Sequence, residues 1–78
     1  MKYLAYLKTP VPANDTEFVY RIVLEETENG TYVYLFCAPD AESASYDEWY
    51  PDLDAARGVW QAHTDDRGWI PLDGSRPD

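Results

Sequence analysis

A β-hairpin around Asn29-Gly30 is the feature that most constrains the fold of this sequence. Residues 17–26 carry apolar side chains on one parity and charged ones on much of the other, and residues 31–37 form a second run of aromatic and aliphatic side chains. Such runs are typical of β-strands. Asn-Gly is the dipeptide that best tolerates the two positive φ angles of a type I′ turn, so the two runs are predicted to pair as antiparallel strands.

The predicted turn also fixes the register and the two faces of the hairpin. With Asn29 and Gly30 as the turn residues, Leu24 faces Leu35. One face is then apolar and is predicted to be the core face; it carries Phe18, Tyr20, Ile22, Leu24, Val33, Leu35 and Cys37. The other face mixes charges with aromatic rings; it carries Val19, Arg21, Val23, Glu25, Tyr32, Tyr34 and Phe36. A slip of one residue would exchange the faces, because the strand period is two.

The segments around the hairpin predict one further strand and one helix. Residues 3–7 are apolar on both parities, which favours a strand covered on both faces, whereas the two prolines within residues 9–15 favour a connection. After a predicted loop over residues 38–51, Asp52 is predicted to cap a helix over residues 53–63. The apolar stripe of this helix comprises Leu53, Ala56, Val59, Trp60 and His63.

The predicted fold class is therefore α+β, with a small antiparallel sheet and one helix packed on one of its faces. The sheet has three strands, or four if Trp69-Ile70 adds a short edge strand that Pro71 ends. A chain of 78 residues has room for one thin core only. Residues 1–72 are accordingly predicted to form a single small domain, and residues 73–78 a flexible C-terminal tail.

The acidic charge balance excludes several classes of partner. Six Lys and Arg residues stand against 15 Asp and Glu residues, which gives a formal net charge of −9. Because such a chain repels phosphate backbones and anionic lipids, direct binding to nucleic acid or to a membrane is not expected. The single cysteine excludes an intrachain disulfide, and the apolar start of the chain is too short for a signal peptide; both observations favour the cytoplasm.

No catalytic or metal-binding motif stands out in the sequence. Cys37 and His63 are the one pair that could act as nucleophile and base. However, Cys37 falls on the predicted core face and His63 ends the apolar helix stripe, so structural roles are favoured. One cysteine and one histidine also fall short of the four ligands of a structural zinc site. We therefore expect a non-enzymatic protein with no catalytic residues, metal or cofactor.

An acidic and aromatic segment is the first candidate for a binding site. Residues 40–54 hold six acidic side chains and no Lys or Arg, with Trp and Tyr interleaved. Aromatic residues anchor the centres of interfaces, and charge of one sign accelerates association with an oppositely charged partner. The predicted partner-binding residues are Asp40, Glu42, Tyr46, Asp47, Glu48, Trp49, Tyr50 and Asp52. The alternative is that Trp49 and Tyr50 close the small core over the helix start, while the acids are only solvated.

The aromatic face of the hairpin is the second candidate. Its residues are Val23, Tyr32, Tyr34 and Phe36. The first strand, the C-terminal tail or a second copy of the chain could cover these side chains. The last alternative predicts a homodimer, in which the chain is a structural or accessory domain.

In overall layout, as a small acidic α+β chain without a catalytic constellation, the sequence is similar to bacterial antitoxin-like immunity proteins and phage-type inhibitors. The resemblance implies a protein that blocks a basic enzyme with its acidic face. We therefore expect the partner to be another protein with a basic surface, engaged through the acidic and aromatic segment. The alternatives are the homodimeric domain, a mimic of nucleic-acid charge, and a small enzyme that uses Cys37 and His63.

Overall fold

Residues 1–72 are described by the computed structural model, in which antiparallel strands form one sheet and a helix covers one face of it. The strands are β1 (Lys2–Pro12), β2 (Phe18–Thr27), β3 (Gly30–Phe36), β4 (Tyr46–Tyr50) and β5 (Ile70–Pro71). The helix α1 (Leu53–Trp60) continues into a 3₁₀ turn, Gln61–His63. Across the sheet the strands lie in the order β4-β3-β2-β1-β5.

The predicted α+β class is confirmed, but the predicted number of strands is too low. The expected short edge strand is present as β5, but it lies one residue later than Trp69-Ile70 and includes Pro71, which was predicted to end it. The strand that the sequence did not predict is β4, which lies within the predicted loop over residues 38–51. The predicted C-terminal tail, residues 73–78, lies outside the described residues.

The central hairpin is confirmed, while its turn and its register differ from the prediction. Gly30 pairs with Thr27, so Glu28 and Asn29 are the turn residues. Neither has a positive φ; the positive angle, +123°, falls on Gly30, and the turn is therefore not of type I′. The observed pairs include Ile22–Leu35, Val23–Tyr34 and Leu24–Val33. This register differs from the predicted one by two residues, which keeps the paired side chains on their predicted faces because the strand period is also two.

An irregularity in the pairing of β1 with β2 brings Val19 into the core. β1 runs through Pro10 and Pro12, where the sequence predicts a connection, and its register with β2 shifts after Tyr6. Beyond the shift the buried side chain of β2 is Val19, which is 1% exposed, whereas Phe18 is 44% exposed. The prediction that Phe18 faces the core and Val19 the opposite side is therefore wrong. Such an irregularity exchanges the residues of a strand that face the core with those that face away from it.

The core lies between the sheet and α1. In the described residues it consists of Ala5, Val19, Ile22, Leu24, Val33, Leu35, Ala56 and Trp60. Ala56 and Trp60 are the buried residues of the helix, which contacts β2, β3 and β4. Of the predicted helix stripe, Leu53 packs against this core, whereas Val59 is 51% exposed. So small a core makes each of its side chains important for stability.

α1 begins where the sequence predicts and ends earlier. The Asp52 carboxylate accepts a hydrogen bond from the backbone N–H of Ala55 at 2.8 Å, which confirms Asp52 as the N-cap. The helix predicted over residues 53–63 is α-helical only as far as Trp60. Because an eight-residue helix is marginal in isolation, α1 depends on its contacts with the sheet.

Candidate protein-binding surface

β4 places part of the predicted binding segment at the edge of the sheet. It pairs with β3 so that Trp49 lies opposite Tyr32 and Asp47 lies opposite Tyr34. Paired residues share a face of the sheet. The alternate residues of β3 are buried against the helix side, so these four side chains lie on the face opposite α1. The four residues, Tyr32, Tyr34, Asp47 and Trp49, are named here the acidic-aromatic surface.

Trp49 is the most exposed aromatic residue of this surface, with 55% of its area accessible to solvent. Its indole N–H donates to the backbone carbonyl of Asn29 at 2.9 Å. The indole also lies over Gly30, where any side chain would collide with it. The ring is thus oriented by the hairpin turn and still open to solvent. Oriented, exposed tryptophan is typical of interface anchors, because little side-chain entropy remains to be lost on binding.

Tyr32 and Tyr34 are the two members of the surface that β3 contributes. The rings of Tyr32 and Tyr34 are stacked, with centroids 6.4 Å apart and 19° between the planes. Tyr34 donates its hydroxyl hydrogen to Glu25 Oε1 at 2.9 Å. This hydrogen bond, together with burial and the nearby charges of Glu25 and Asp47, raises the pKa of Tyr34 above its ordinary value of 10.0. The sequence placed Glu25 on this face of the hairpin, opposite Tyr34, but not among the predicted site residues; the observed register pairs Glu25 with Tyr32 instead.

Glu48 and Tyr50 lie on the helix side of β4 and have structural contacts there. Glu48 Oε1 accepts hydrogen bonds from the Tyr50 hydroxyl at 2.7 Å and from the Trp60 indole N–H at 3.3 Å. Tyr50 packs against the core, and burial followed by the bond to Glu48 raises the pKa of Tyr50. Tyr50 therefore closes the core, as the alternative for Trp49 and Tyr50 proposed, whereas Trp49 lies on the other face.

Tyr46 and Asp52 are also engaged within the chain. The Tyr46 hydroxyl donates to the Glu17 carboxylate and accepts from the Asn14 side-chain amide at 2.9 Å. The hydrogen bond between Tyr46 and Glu17 lowers the pKa of Glu17 and raises that of Tyr46. Asp52 caps α1. Both predicted site residues thus contribute to the architecture around the site.

Asp40 and Glu42 lie exposed in the connection between β3 and β4. Arg21 holds this connection in place. Its guanidinium donates to the backbone carbonyls of Ala38, Pro39 and Ala41. Arg21 therefore orders the segment that carries both carboxylates, a role that the sequence did not indicate.

The predicted dimer face lies on the same side of the sheet as the acidic-aromatic surface. Val23 pairs with Tyr34, and the ring of Phe36 has the Arg21 guanidinium 4.4 Å from its centroid. Val23, Tyr32, Tyr34 and Phe36 are half-buried. The predicted dimer face therefore adjoins Asp47 and Trp49, the two residues of the predicted binding segment that lie on this side of the sheet.

Cys37 and His63, the two residues considered for catalysis, make packing contacts in the structure. Cys37 is half-buried against the core, and His63 meets the Trp60 ring edge-on with centroids 5.7 Å apart. Within residues 1–72 no group of His, Cys, Asp or Glu side chains is arranged to hold a metal ion. In the same residues no pocket is present, and no helix has the length and apolar character needed to cross a membrane.

Replacing Glu25 by alanine should lower the pKa of Tyr34 toward 10.0, because the variant loses the acceptor of the phenolic proton. The folded wild-type chain binds this proton more tightly than the unfolded chain does. The stabilisation is therefore complete below pH 10 and is lost as the pH rises through the raised pKa of the folded state. Residue-specific NMR titration of the tyrosine rings measures the shift.

The matched control for this titration is Glu26→Ala, which removes the exposed carboxylate next to Glu25. It should leave the pKa of Tyr34 close to the wild-type value, because Glu26 makes no contact with that hydroxyl. An equal fall of the Tyr34 pKa in both variants would contradict the role assigned to Glu25.

Comparisons with protein-family models, curated proteins and solved structures find no match for this chain. Function is therefore inferred from the contacts of the chain itself. Of the eight residues predicted to bind a partner, Asp47 and Trp49 lie on the outer face of the sheet, beside the stacked tyrosines.

Proposed function

We propose that this chain is a small, acidic, non-enzymatic binding protein that attaches to a positively charged surface on another protein, in the manner of an inhibitor or immunity protein. The acidic-aromatic surface is the observation that supports this function. Exposed Trp49 offers apolar area and a ring face, and Asp47 offers a carboxylate two residues away on the same face. Aromatic anchors beside charged groups are typical of the centres and rims of protein interfaces.

The distribution of charge supports a basic partner in particular. Residues 40–54 carry six of the 15 acidic side chains and no basic one, and β4 lies within this segment. Charge of one sign raises the rate of encounter with an oppositely charged protein, over a distance of about 10 Å at 0.1 M salt. Binding should therefore weaken as the salt concentration rises.

Charge reversal at Asp47 tests the proposed function. The immobilised wild-type chain is used to capture proteins from a cell extract, and the captured protein is purified for calorimetry. We expect the captured protein to be basic. It should bind the Asp47→Lys variant at least about tenfold more weakly than the wild-type chain, because the variant inverts the sign of the charge at the interface. Trp49→Ala should also weaken binding, since it removes the aromatic anchor.

Asp54→Lys is the matched control for Asp47→Lys. It makes the same change of charge within the same acidic segment, but on an exposed position of α1, on the opposite side of the sheet. The control should retain most of the affinity. Equal loss of binding in the two variants, binding that is indifferent to salt, or the absence of any captured protein would contradict the proposed function.

A homodimeric accessory domain is the second candidate function. It is favoured by the breadth of the same face, since half-buried Val23 and Phe36 extend the aromatic area beyond the acidic-aromatic surface while α1 lies on the other side. A second copy related by a two-fold axis could cover this area. Sedimentation over a range of concentrations distinguishes the two functions, because a strict monomer at high concentration removes the homodimer.

A further inference from the structure

We infer, on the basis of the proposed function, that the basic partner supplies an extended segment bearing lysine or arginine, which pairs with β4 as an additional strand of the sheet. Within residues 1–72, β3 is the only strand next to β4. The other side of β4 therefore presents backbone N–H and C=O groups that no strand of the described chain pairs with. Hydrogen bonds from a partner's main chain to such an edge are a recurrent mode of peptide recognition.

The two edges of the sheet differ in their capacity to accept a strand. On the opposite side, β5 pairs with only two residues of β1, and the rest of β1 contains Pro10 and Pro12. β5 itself ends in Pro71. Proline lacks an N–H and interrupts a ladder of hydrogen bonds. β4 contains no proline, so each of its five residues keeps a backbone N–H, and this edge is the one suited to strand addition.

The side chains of β4 favour a cationic strand. A lysine or arginine opposite Asp47 would form a cross-strand pair of opposite charge on the outer face. A cation over the exposed ring of Trp49 would gain a cation–π attraction. On the helix side, Tyr46 and Glu48 are tied to Glu17 and Trp60 by hydrogen bonds. The outer face therefore supplies the groups that an added strand would meet.

The same carboxylates disfavour a second copy of this chain at the β4 edge. A two-fold axis at Glu48 would set the Glu48 side chains of two antiparallel β4 strands opposite each other. An axis at Asp47 would likewise set the Asp47 side chains of the two copies opposite each other. Like charges directly opposite destabilise a strand pair, and each copy carries a formal charge of −9. A lysine or arginine opposite Asp47 turns the repulsion on the outer face into an attraction.

A peptide of alternating lysine and valine is the probe for strand addition. A length of about seven residues spans β4, since each residue of a strand advances about 3.4 Å. The control peptide has the same sequence, but the backbone nitrogens of alternate residues, which lie along one edge of the peptide strand, are methylated. This change keeps the charges and removes the N–H donors of that edge. We expect the methylated peptide to bind at least about tenfold more weakly, because it loses about two backbone hydrogen bonds. Amide exchange measured by NMR should slow at alternate residues of β4 and stay unchanged in α1.

Several outcomes would overturn the inference. Equal affinity of the two peptides, abolished by Asp47→Lys, would overturn strand addition and leave the proposed function intact, because side chains alone would then hold the partner. If neither peptide binds while the captured partner still does, strand addition is likewise overturned and the proposed function is left intact. Slowed exchange in β4 that appears without peptide as protein concentration rises would assign the edge to a second copy. Peptide binding that Asp47→Lys leaves unchanged would contradict both proposals.

Discussion

Trp60→Ala should lower the free energy of unfolding by about 3–5 kcal/mol, the usual range for truncating a buried tryptophan. Trp60 is 5% exposed and is one of the two buried residues through which α1 contacts the sheet. Its indole N–H also donates to Glu48, so truncation removes a link between α1 and β4 as well as apolar contacts. A chain of 78 residues is expected to have a total stability of about 4–12 kcal/mol. The loss therefore amounts to at least about a quarter of the total stability.

Urea denaturation followed by circular dichroism measures this loss. Val59→Ala is the control, because Val59 precedes Trp60 on the same helix and is 51% exposed. It should change the stability by no more than about 0.5 kcal/mol. A second variant, Trp60→Phe, keeps most of the apolar volume and loses the N–H, and its stability should fall between those of Trp60→Ala and wild type. If Trp60→Ala were as stable as Val59→Ala, the position of α1 on the sheet would be wrong.

Gly30→Ala should destabilise the fold by at least about 2 kcal/mol, because two independent effects add at this position. Gly30 has a φ of +123°, a region that side chains other than hydrogen rarely tolerate. A Cβ at Gly30 would also collide with the Trp49 indole and would lie 2.7 Å from the Tyr50 carbonyl oxygen. The backbone oxygen cannot rotate away as a side chain can, so β4 itself would have to move.

Gly68→Ala separates these two effects. Gly68 also has a positive φ, +70°, but among residues 1–72 no atom beyond the adjoining residues lies within 4 Å of the position that a Cβ would occupy. The control should therefore show the cost of a left-handed backbone conformation without a steric collision, about 1 kcal/mol. Thermal unfolding of both variants gives the comparison, and equal losses would mean that the indole and β4 do not lie against Gly30. Because Trp49 belongs to the acidic-aromatic surface, Gly30→Ala should also weaken partner binding.

The features that the sequence predicts correctly are those with local causes. The hairpin follows from an alternating run and an aromatic and aliphatic run on either side of a turn. The cap at Asp52 follows from a carboxylate that reaches the free N–H groups of the first helical turn. The faces of the hairpin are also correct where pairing is regular, since an error of two residues in register does not change the parity. Val19 is the exception, because the shift in pairing after Tyr6 is not encoded in any local pattern.

β4 could not be assigned from local pattern alone, because Asp47 and Glu48 are poor strand formers and the segment does not alternate in polarity. Its aromatic residues, followed by Pro51, were the available signal. An edge strand needs a neighbour on one side only, and β3 supplies it. The contact that makes these residues a strand is therefore made by a distant part of the chain.

The sequence by itself determined the class of fold, the cap of the helix, the alternation of the hairpin faces and the acidic segment over residues 40–54. Only the tertiary structure decided which of these acidic and aromatic side chains share a face. The physical reason is that alternation is a property of neighbouring residues, whereas strand pairing depends on contacts between remote ones. The pairing of β4 with β3 directs Glu48 and Tyr50 to the core side and places Asp47 and Trp49 beside Tyr32 and Tyr34.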